Sequence, residues 1–474
     1  MASTVVPDRL RPLLDDASPI QQLARRLRDG GHAAYLVGGT VRDALLGQAH
    51  EDVDLATDAR PDAIEDAVRG WADALWLQGQ RFGTVGLEKD GVKIEVTTFR
   101  ADVYHPESRK PDVSFSDDIE TDLSRRDFTI NAMALSLPEP ELVDPFGGAA
   151  DLAARRLRTP LAPSVSFLDD PLRMLRAARF VAGLGLEPQA DLVAAVREHR
   201  SRLEIVSAER IRDELSRLLV LDDPSPGLWF LVDTGLADEF LPELPALALE
   251  QDPIHRHKDV LAHTIAVTAK TRPELRVRVA ALLHDVGKPR TREITPKGVT
   301  FHHHEVVGSR MARDRMRALR FSNDLVDEVT ELVYLHLRFH TYRMGWTDKA
   351  VRRYVRDAGD LLEDLNHLVR CDCTTRNQKK AERLARRMDE LEERIDVLAE
   401  QEELRRIRPP LDGNQVMEFL GVGPGRVVGD ALDFLLELRL DEGPIEEDAA
   451  FARLAAWARG RGLLGDATGP PPSS

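Results

Sequence analysis

Two acids separated by one residue, Asp52 and Asp54, follow a Gly38-Gly39 pair, and this combination constrains the N-terminal fold more than any other feature. On a strand, residues i and i+2 share a face, so both carboxylates project together. Two carboxylates that close repel each other unless a cation lies between them. Hard oxygen ligands suit Mg²⁺, which also binds substrate phosphates. Residues 34–37 read as a buried strand running into Gly38-Gly39, and a helix is expected from Thr40 to Leu46. The glycines let the backbone approach a triphosphate, and the helix offers its N-terminal N–H groups. Arg42 is placed to orient phosphates or brace the site. Either motif alone is commonplace; their spacing makes the site. Glu95 reads equally as a third carboxylate or as an exposed strand residue beside Lys93.

Further strands are expected at 52–55, 84–89 and 92–99, the last two joined by the turn signal Asp90-Gly91. Residues 101–125 are polar and weakly periodic and read as a mobile loop. A helix over Asn131–Leu135 and a strand ending at Val143 close a small mixed domain near residue 150. Apolar residues then recur at i, i+3, i+4 and i+7 over 170–183 and 207–220, with Ser207 as an N-cap. A Pro- and Gly-rich junction lies at 222–227, a histidine-rich helical region follows to about 375, and a charged helix over 377–407 stops at Pro409-Pro410. The fold class expected is α+β. A mixed-sheet head (1–150) precedes an all-α neck (151–222), body (223–375) and tail (376–474), with 466–474 frayed.

A chain of 474 residues needs several cores. No apolar stretch is long enough to span a bilayer, and the N-terminus does not read as a secretory signal. Two cysteines, Cys371 and Cys373, cannot staple such a chain, which fits a reducing cytoplasm. The net charge of -16 argues against a polyanionic partner unless charge is segregated. Basic runs do occur, at Arg173, Arg176 and Arg179 and at Arg376, Lys379, Lys380, Arg383, Arg386 and Arg387. The second reads equally as a solvated helix face.

The residues from Gly38 to Asp54 resemble the head motif of polymerase-beta-like nucleotidyltransferases, and more narrowly that of bacterial CCA-adding enzymes and their poly(A) polymerase relatives. Arg125-Arg126-Asp127-Phe-Thr-Ile-Asn131, Asp144-Pro-Phe-Gly-Gly148, Asp169-Asp170-Pro-Leu-Arg173 through Phe180, and Ser207 through Glu214 match further motifs of that family in order. The resemblance implies a two-Mg²⁺ transfer of CTP and ATP to the 3′ end of tRNA, with Asp52 and Asp54 catalytic. It implies ribose and triphosphate contacts from Arg125, Arg126, Asp127 and Asn131, with Asp127 favouring a ribose 2′-hydroxyl. Base selection falls to Asp170 and Arg173, which at i and i+3 are expected to be neighbours on one helix face, helped by Asp169. Cytosine and adenine both present an amine donor beside a ring-nitrogen acceptor, which an Asp and an Arg complement. Uracil and guanine reverse both positions. The same motifs occur in poly(A) polymerases and in enzymes that add only CC or only A.

A second cluster, His263, His284-Asp285, His304, His336 and Asp372, resembles the signature of HD metal-dependent phosphohydrolases. The resemblance implies one divalent transition metal or Mn²⁺ on His263, His284, Asp285 and Asp372, and a second ion on His304 and His336. Phosphomonoester or 2′,3′-cyclic phosphate hydrolysis would follow, unless the helical body is a structural remnant that keeps the fold without turnover. Under a third reading the chain is such a hydrolase and its head is only a binding module.

Overall fold

Strand β1 (Ala34–Val37) enters the Gly38 turn, and α2 (Gly39–Leu46) leaves it. The computed structural model describes residues 14–48, 52–105, 108–249, 259–295, 298–341, 346–373, 378–402 and 407–464. The side chains of residues 52, 81, 101–105, 108–113, 341, 378 and 380 fall outside this description. The chain divides into two compact units, Met1–Ala246 with Arg315–Phe321, and Leu247–Asp314 with Ser322–Ser474.

The first unit is built on a seven-stranded mixed sheet in the order β3-β4-β5-β2-β1-β8-β9. Its other strands are β2 (Asp52–Thr57), β3 (Ala74–Trp76), β4 (Thr84–Lys89), β5 (Val92–Thr98), β8 (Ala134–Leu137) and β9 (Leu142–Val143). Within this sheet only β2 and β5 pair in parallel. Leu36, Leu55, Val85, Leu87, Ile94 and Val96 bury one face of this sheet against Leu23 and Leu27 of α1 (Pro19–Asp29) and Ile64 of α3 (Pro61–Val68). Helix α1 starts cleanly because the Ser18 side chain accepts the Gln21 N–H and Pro19 is preset for helix. Val53 and Leu55 point into this core on either side of Asp54. A one-residue slip of β2 would bury the acid and expose both apolar neighbours, so the core fixes the register of the carboxylate.

Two local expectations are corrected. Residues 101–125 are not a loop: β6 (Arg100–His105) and β7 (Ser108–Phe115) form a hairpin, and α4 (Ile119–Ser124) follows, capped by Asp118, which accepts from Glu120 and Thr121. Asn131–Leu135 is not a helix: a 3-10 turn at Thr129–Asn131 leads into β8, which pairs antiparallel with β1. Pairing with β1 on one side and β9 on the other outweighs the helix preference of Asn-Ala-Met-Ala-Leu, because propensity is a weak prior. The α+β class stands. Beyond the sheet, the first unit is mainly helical: α5 (Gly148–Ala153), α6 (Pro163–Asp169), α7 (Leu172–Leu184), α8 (Ala190–His199), α9 (Ala208–Leu219), α10 (Ser225–Asp233) and α11 (Ala237–Phe240). Helix α7 packs on α9 and α10. Ser207 is the N-cap residue of α9.

In the second unit, α13 (Leu275–Leu283) packs on α12 (Val260–Lys270), α15 (Asn323–Leu335) and α18 (Leu362–Asp372). Helix α14 (His304–Ala318) follows a hairpin of Arg292–Thr295 and Gly298–Phe301. After α16 (Arg338–Thr341), α17 (Asp348–Ala358) and α19 (Gln378–Gln401), a separate small core forms around Leu411, Val416, Leu435 and Leu454. It joins α20 (Gly413–Leu420), α21 (Arg426–Glu442) and α22 (Glu447–Gly460). Residues 466–474 and Arg376 lie outside the described residues.

Candidate active site and a second candidate metal centre

Asp54 sits on β2 opposite Glu95 of β5, and its N–H donates to Thr40 Oγ1 at 3.1 Å, tying the strand to the first turn of α2. Asp52 is opposite Lys93 in the same register; its side chain lies outside the described residues. Gly38 has φ +67°, a conformation that side chains resist. A Cβ there would lie 2.9 Å from Arg126 Nη1 and 3.8 Å from Asp54 Oδ2. The bare glycine therefore keeps a cradle open between a carboxylate and a guanidinium, with the start of α2 beside it. These hard-oxygen and N–H donors suit a divalent cation carrying a triphosphate.

Two clefts meet at this point. One, of about 210 Å³, is lined by Asp54, Thr97, Arg100, Arg125 and Arg126. The other, of about 380 Å³, shares Arg100, Arg125 and Arg126 and adds Asp127, Asp170, Arg173, Arg176 and Arg210. The structure thus brings the proposed catalytic carboxylate and the proposed base-selecting pair to either side of three arginines. Arg100 and Arg210 did not stand out in the sequence as site residues.

Asp122, on α4, is the other residue that sequence reasoning missed. Its carboxylate is buried and receives Arg125 at 2.7 Å, Arg126 at 3.0 Å and the Arg100 N–H at 3.2 Å. Burial alone would raise this carboxyl, but Arg126 and Arg125 hold it below its ordinary range. Its signal was the spacing: an acid three and four residues before an arginine pair lies on one helical face with both.

Asp170 and Arg173 are not neighbours on one continuous helix. Asp170 ends α6 in an extended conformation, and Pro171 starts α7. Asp170 Oδ1 accepts from the Leu172 N–H at 3.2 Å, and Oδ2 from Arg210 at 3.0 Å. Arg173 is buried; it donates to Ser166 Oγ at 2.8 Å and to the Arg125 carbonyl. Both side chains are therefore held by the protein rather than by each other, facing the larger cleft.

Other expected contacts act here as braces. Asp127 Oδ1 takes the Asn131 amide and the Phe128 N–H, and Oδ2 takes Arg176 at 2.6 Å. Burial would raise the Asp127 carboxyl, yet Arg176 and Asn131 bring it down to about 2. Arg42 grips Asp43 and donates to Asn131 Oδ1 at 2.6 Å. Arg179 turns to the buried Glu214 at 2.8 Å. Arg42, Asn131 and Arg179 line neither cleft.

In the second unit the expected ligands converge. His284 and His336 directly follow α13 and α15, His304 opens α14, Asp372 ends α18, and His263 lies on α12. The Nδ1 atoms of His284, His304 and His336 each meet a carbonyl three residues back, on Ala281, Phe301 and Val333, at 2.7, 2.8 and 2.6 Å. A proton on each Nδ1 leaves Nε2 as a lone-pair donor. All three Nε2 atoms are buried and make no hydrogen bond. Yet His284 Nε2 is 3.2 Å and His304 Nε2 3.4 Å from Asp285, and His263 Nε2 is 2.9 Å from Asp372. Two groups of potential ligands, His263-His284-Asp285 and Asp285-His304-His336, share Asp285. Gly287 makes this approach feasible, since a Cβ there would lie 2.2 Å from the His304 carbonyl oxygen. Burial would lower His284, but the charges of Asp285 and Asp372 raise it, so the two carboxylates call for positive charge here, which a bound cation would supply in place of a proton; His336, buried beside His284, falls to about 3. Orphaned imidazole nitrogens facing carboxylates fit a divalent cation. Cys371 and Cys373 are free thiols.

Residues 34–158 match the family model "Poly A polymerase head domain", 185–247 match "Probable RNA and SrmB- binding site of polymerase A", and 260–395 match "HD domain". The fold and head site thus define a nucleotidyltransferase that carries an HD domain. The A-adding tRNA nucleotidyltransferase of Deinococcus radiodurans is 36% identical over 90% of this chain and 95% of its own length. The CC-adding tRNA nucleotidyltransferase of Thermus thermophilus is 33% identical over 90% and 94%. The CCA-adding enzyme of Bacillus pumilus is 39% identical over 45% of this chain and 52% of its own length. Among solved structures, the Bacillus stearothermophilus CCA-adding enzyme in complex with CTP superposes with a TM-score of 0.67 at 25% identity, covering 96% of this chain and 99% of that one. The chain belongs to the tRNA nucleotidyltransferase family. No helix among the described residues is long and apolar enough to cross a membrane.

Proposed function

We propose that the chain adds C and A residues from CTP and ATP to the 3′ end of tRNA in the cytoplasm. The observation that carries this is the meeting of the Asp54 cleft and the Asp170/Arg173 cleft at Arg100, Arg125 and Arg126. Asp52 and Asp54 would hold Mg²⁺, which when bound neutralises the triphosphate and lowers the pKa of the attacking hydroxyl. The new bond joins the RNA 3′ oxygen to the α-phosphorus; the α–β phosphoanhydride breaks and pyrophosphate leaves. Arg125 and Arg126, preset by Asp122, orient the triphosphate. Asp170, held by Arg210, accepts the exocyclic amine of cytosine or adenine, and Arg173 donates to the neighbouring ring nitrogen. Against uracil or guanine both contacts oppose like groups, at about 1–3 kcal/mol each.

The two relatives matched over nearly their whole length are named for adding only A or only CC, and they favour a second reading in which this chain performs part of the task. A tRNA ending at the discriminator nucleotide, incubated with CTP, ATP or both and read at single-nucleotide resolution, separates the readings. Two additions with CTP and three with both nucleotides support full CCA synthesis. A stop at two with both marks a CC-adding enzyme, and extension only of tRNA already ending in CC marks an A-adding one. A long A tract would overturn all three in favour of a poly(A) polymerase.

The HD cluster fits a divalent transition metal or Mn²⁺ on His263, His284, Asp285 and Asp372, with a second ion sharing Asp285 with His304 and His336. We read it as a phosphohydrolase site for phosphomonoesters or 2′,3′-cyclic phosphates at RNA ends. Turnover of bis-p-nitrophenyl phosphate across a metal panel tests it; no turnover with Mn²⁺, Ni²⁺, Co²⁺ or Mg²⁺ would refute it.

A further inference from the structure

The sheet that carries Asp54 continues past it as an open surface. Residues paired across adjacent strands share a face. Asp54 pairs with Glu95, Glu95 with Gly86, and Gly86 with Trp76, so one row crosses from the catalytic carboxylate to the edge strand. At the usual strand spacing the row spans about 14 Å. The reverse face of β2, β5 and β4 is the buried core. On the Asp54 face, Glu95 is exposed, Gly86 has no side chain, and Trp76 is 41% exposed. A Cβ on Gly86 would come within 3.3 Å of the indole Cε3, so the ring lies along the bare backbone at that position.

Exposed aromatics are scarce in this chain. Among the described residues the large ones are Trp76, Phe82, Phe115 and Tyr334, and the first three all lie in the head. Phe82 and Phe115 are joined to the cleft through Arg100, which lines both clefts. Arg100 donates to the Phe82 carbonyl at 3.1 Å and pairs with Phe115 in the β6–β7 hairpin. The Arg60 guanidinium covers the Phe115 ring at 4.8 Å.

We propose that Trp76 is a stacking platform for the unpaired 3′ strand of the RNA being extended, holding a base a few nucleotides upstream of the reacting hydroxyl. The proposal rests on the nucleotidyl-transfer reading above. Its occupant follows from continuity: whatever leaves the Asp54 cleft across this face meets Trp76. It also follows from charge. Glu88 and Glu95 stand on the same face with Lys93, a poor bed for phosphodiesters, so a strand lying here must present its bases. Every base has a π-face, which lets one indole serve tRNAs that differ at that position.

The test uses the full chain and a tRNA ending in CC with 2-aminopurine at the discriminator position. Binding to the parent quenches the fluorophore by stacking. Trp76→Ala abolishes the quench and raises the KM for this tRNA about tenfold, a typical loss for one stacked base. It leaves kcat and the nucleotide KM within about twofold, and Trp76→Phe keeps most of the quench. Asp54→Asn, which cannot turn over, still quenches. A parent that quenches through Trp76 yet adds nothing to this tRNA or to one ending at the discriminator nucleotide would sink the reaction assignment while leaving the platform standing. Quenching and KM unchanged in Trp76→Ala would overturn the platform, as would loss of a dimer in that variant with RNA binding intact, which would make the patch a protein interface.

Discussion

Arg176 of α7 closes on Asp127 at 2.6 Å, joining the helix after the Asp170-Pro171 corner to the loop that carries Arg125 and Arg126. The buried carboxyl lies at about 2 against 3.8 when free. A lowered value means the pair stabilises the fold fully above the free value and loses that contribution as pH falls through 3.8 toward 2. The shift corresponds to about 2 kcal/mol at neutral pH. Asp127→Asn should lower the urea midpoint at pH 7 and differ less from the parent at pH 3. An equal difference at both values would place the effect elsewhere.

Gly38→Ala places a methyl 2.9 Å from Arg126 Nη1 at a backbone angle alanine avoids. The strain is of order 1–3 kcal/mol. Thermal melting should fall only modestly, while kcat/KM for CTP falls by about 100-fold because the cradle between Arg126 and Asp54 closes. Full activity in this variant would show that nothing needs to approach the backbone there.

Asp122→Asn removes the carboxylate shared by Arg125 and Arg126. Breaking a buried pair costs about 3–5 kcal/mol. With two arginines released, the KM for CTP and ATP should rise about tenfold in parallel, measured by primer extension at fixed tRNA. A change in the C-to-U preference without a change in KM would assign Asp122 to base reading instead.

For the HD centre, His336→Gln and Asp285→Asn should each weaken Mn²⁺ binding in calorimetry by about 100-fold or more, since even outer-sphere partners are worth about 10–100-fold. CTP incorporation should change by less than about twofold. Parent and variants that bind Mn²⁺ equally would leave the orphaned imidazole nitrogens without a ligand.

The legible part of this chain was the part with short-range rules. Asp52 and Asp54 announce a shared face because strand periodicity is two, and Val53 and Leu55 supply the core that holds it. The His284-Asp285 pair stood out because charge inside an apolar helix end is costly. The rest depended on tertiary context. The β6–β7 hairpin looked like a loop because polar residues and Pro111 hide its alternation, and a two-stranded edge tolerates proline. The corner at Asp170-Pro171 is masked in the sequence because Arg173, Arg176 and Phe180 keep the helical spacing; Pro171 is the signal that marks it. Arg100 and Arg210 become site residues only when β6 and α9 are brought to the same, larger cleft.

The central claim is that a protein side-chain pair, rather than a template, chooses the base. Its most direct measurement is the ratio of kcat/KM for CTP to that for UTP in the parent and in Asp170→Ala, on a tRNA ending at the discriminator nucleotide. The parent ratio should exceed about 100, and the variant ratio should fall by about tenfold or more, the worth of one mismatched buried polar contact. A variant that still rejects UTP as strongly as the parent would contradict the assignment of base selection to Asp170 and Arg173.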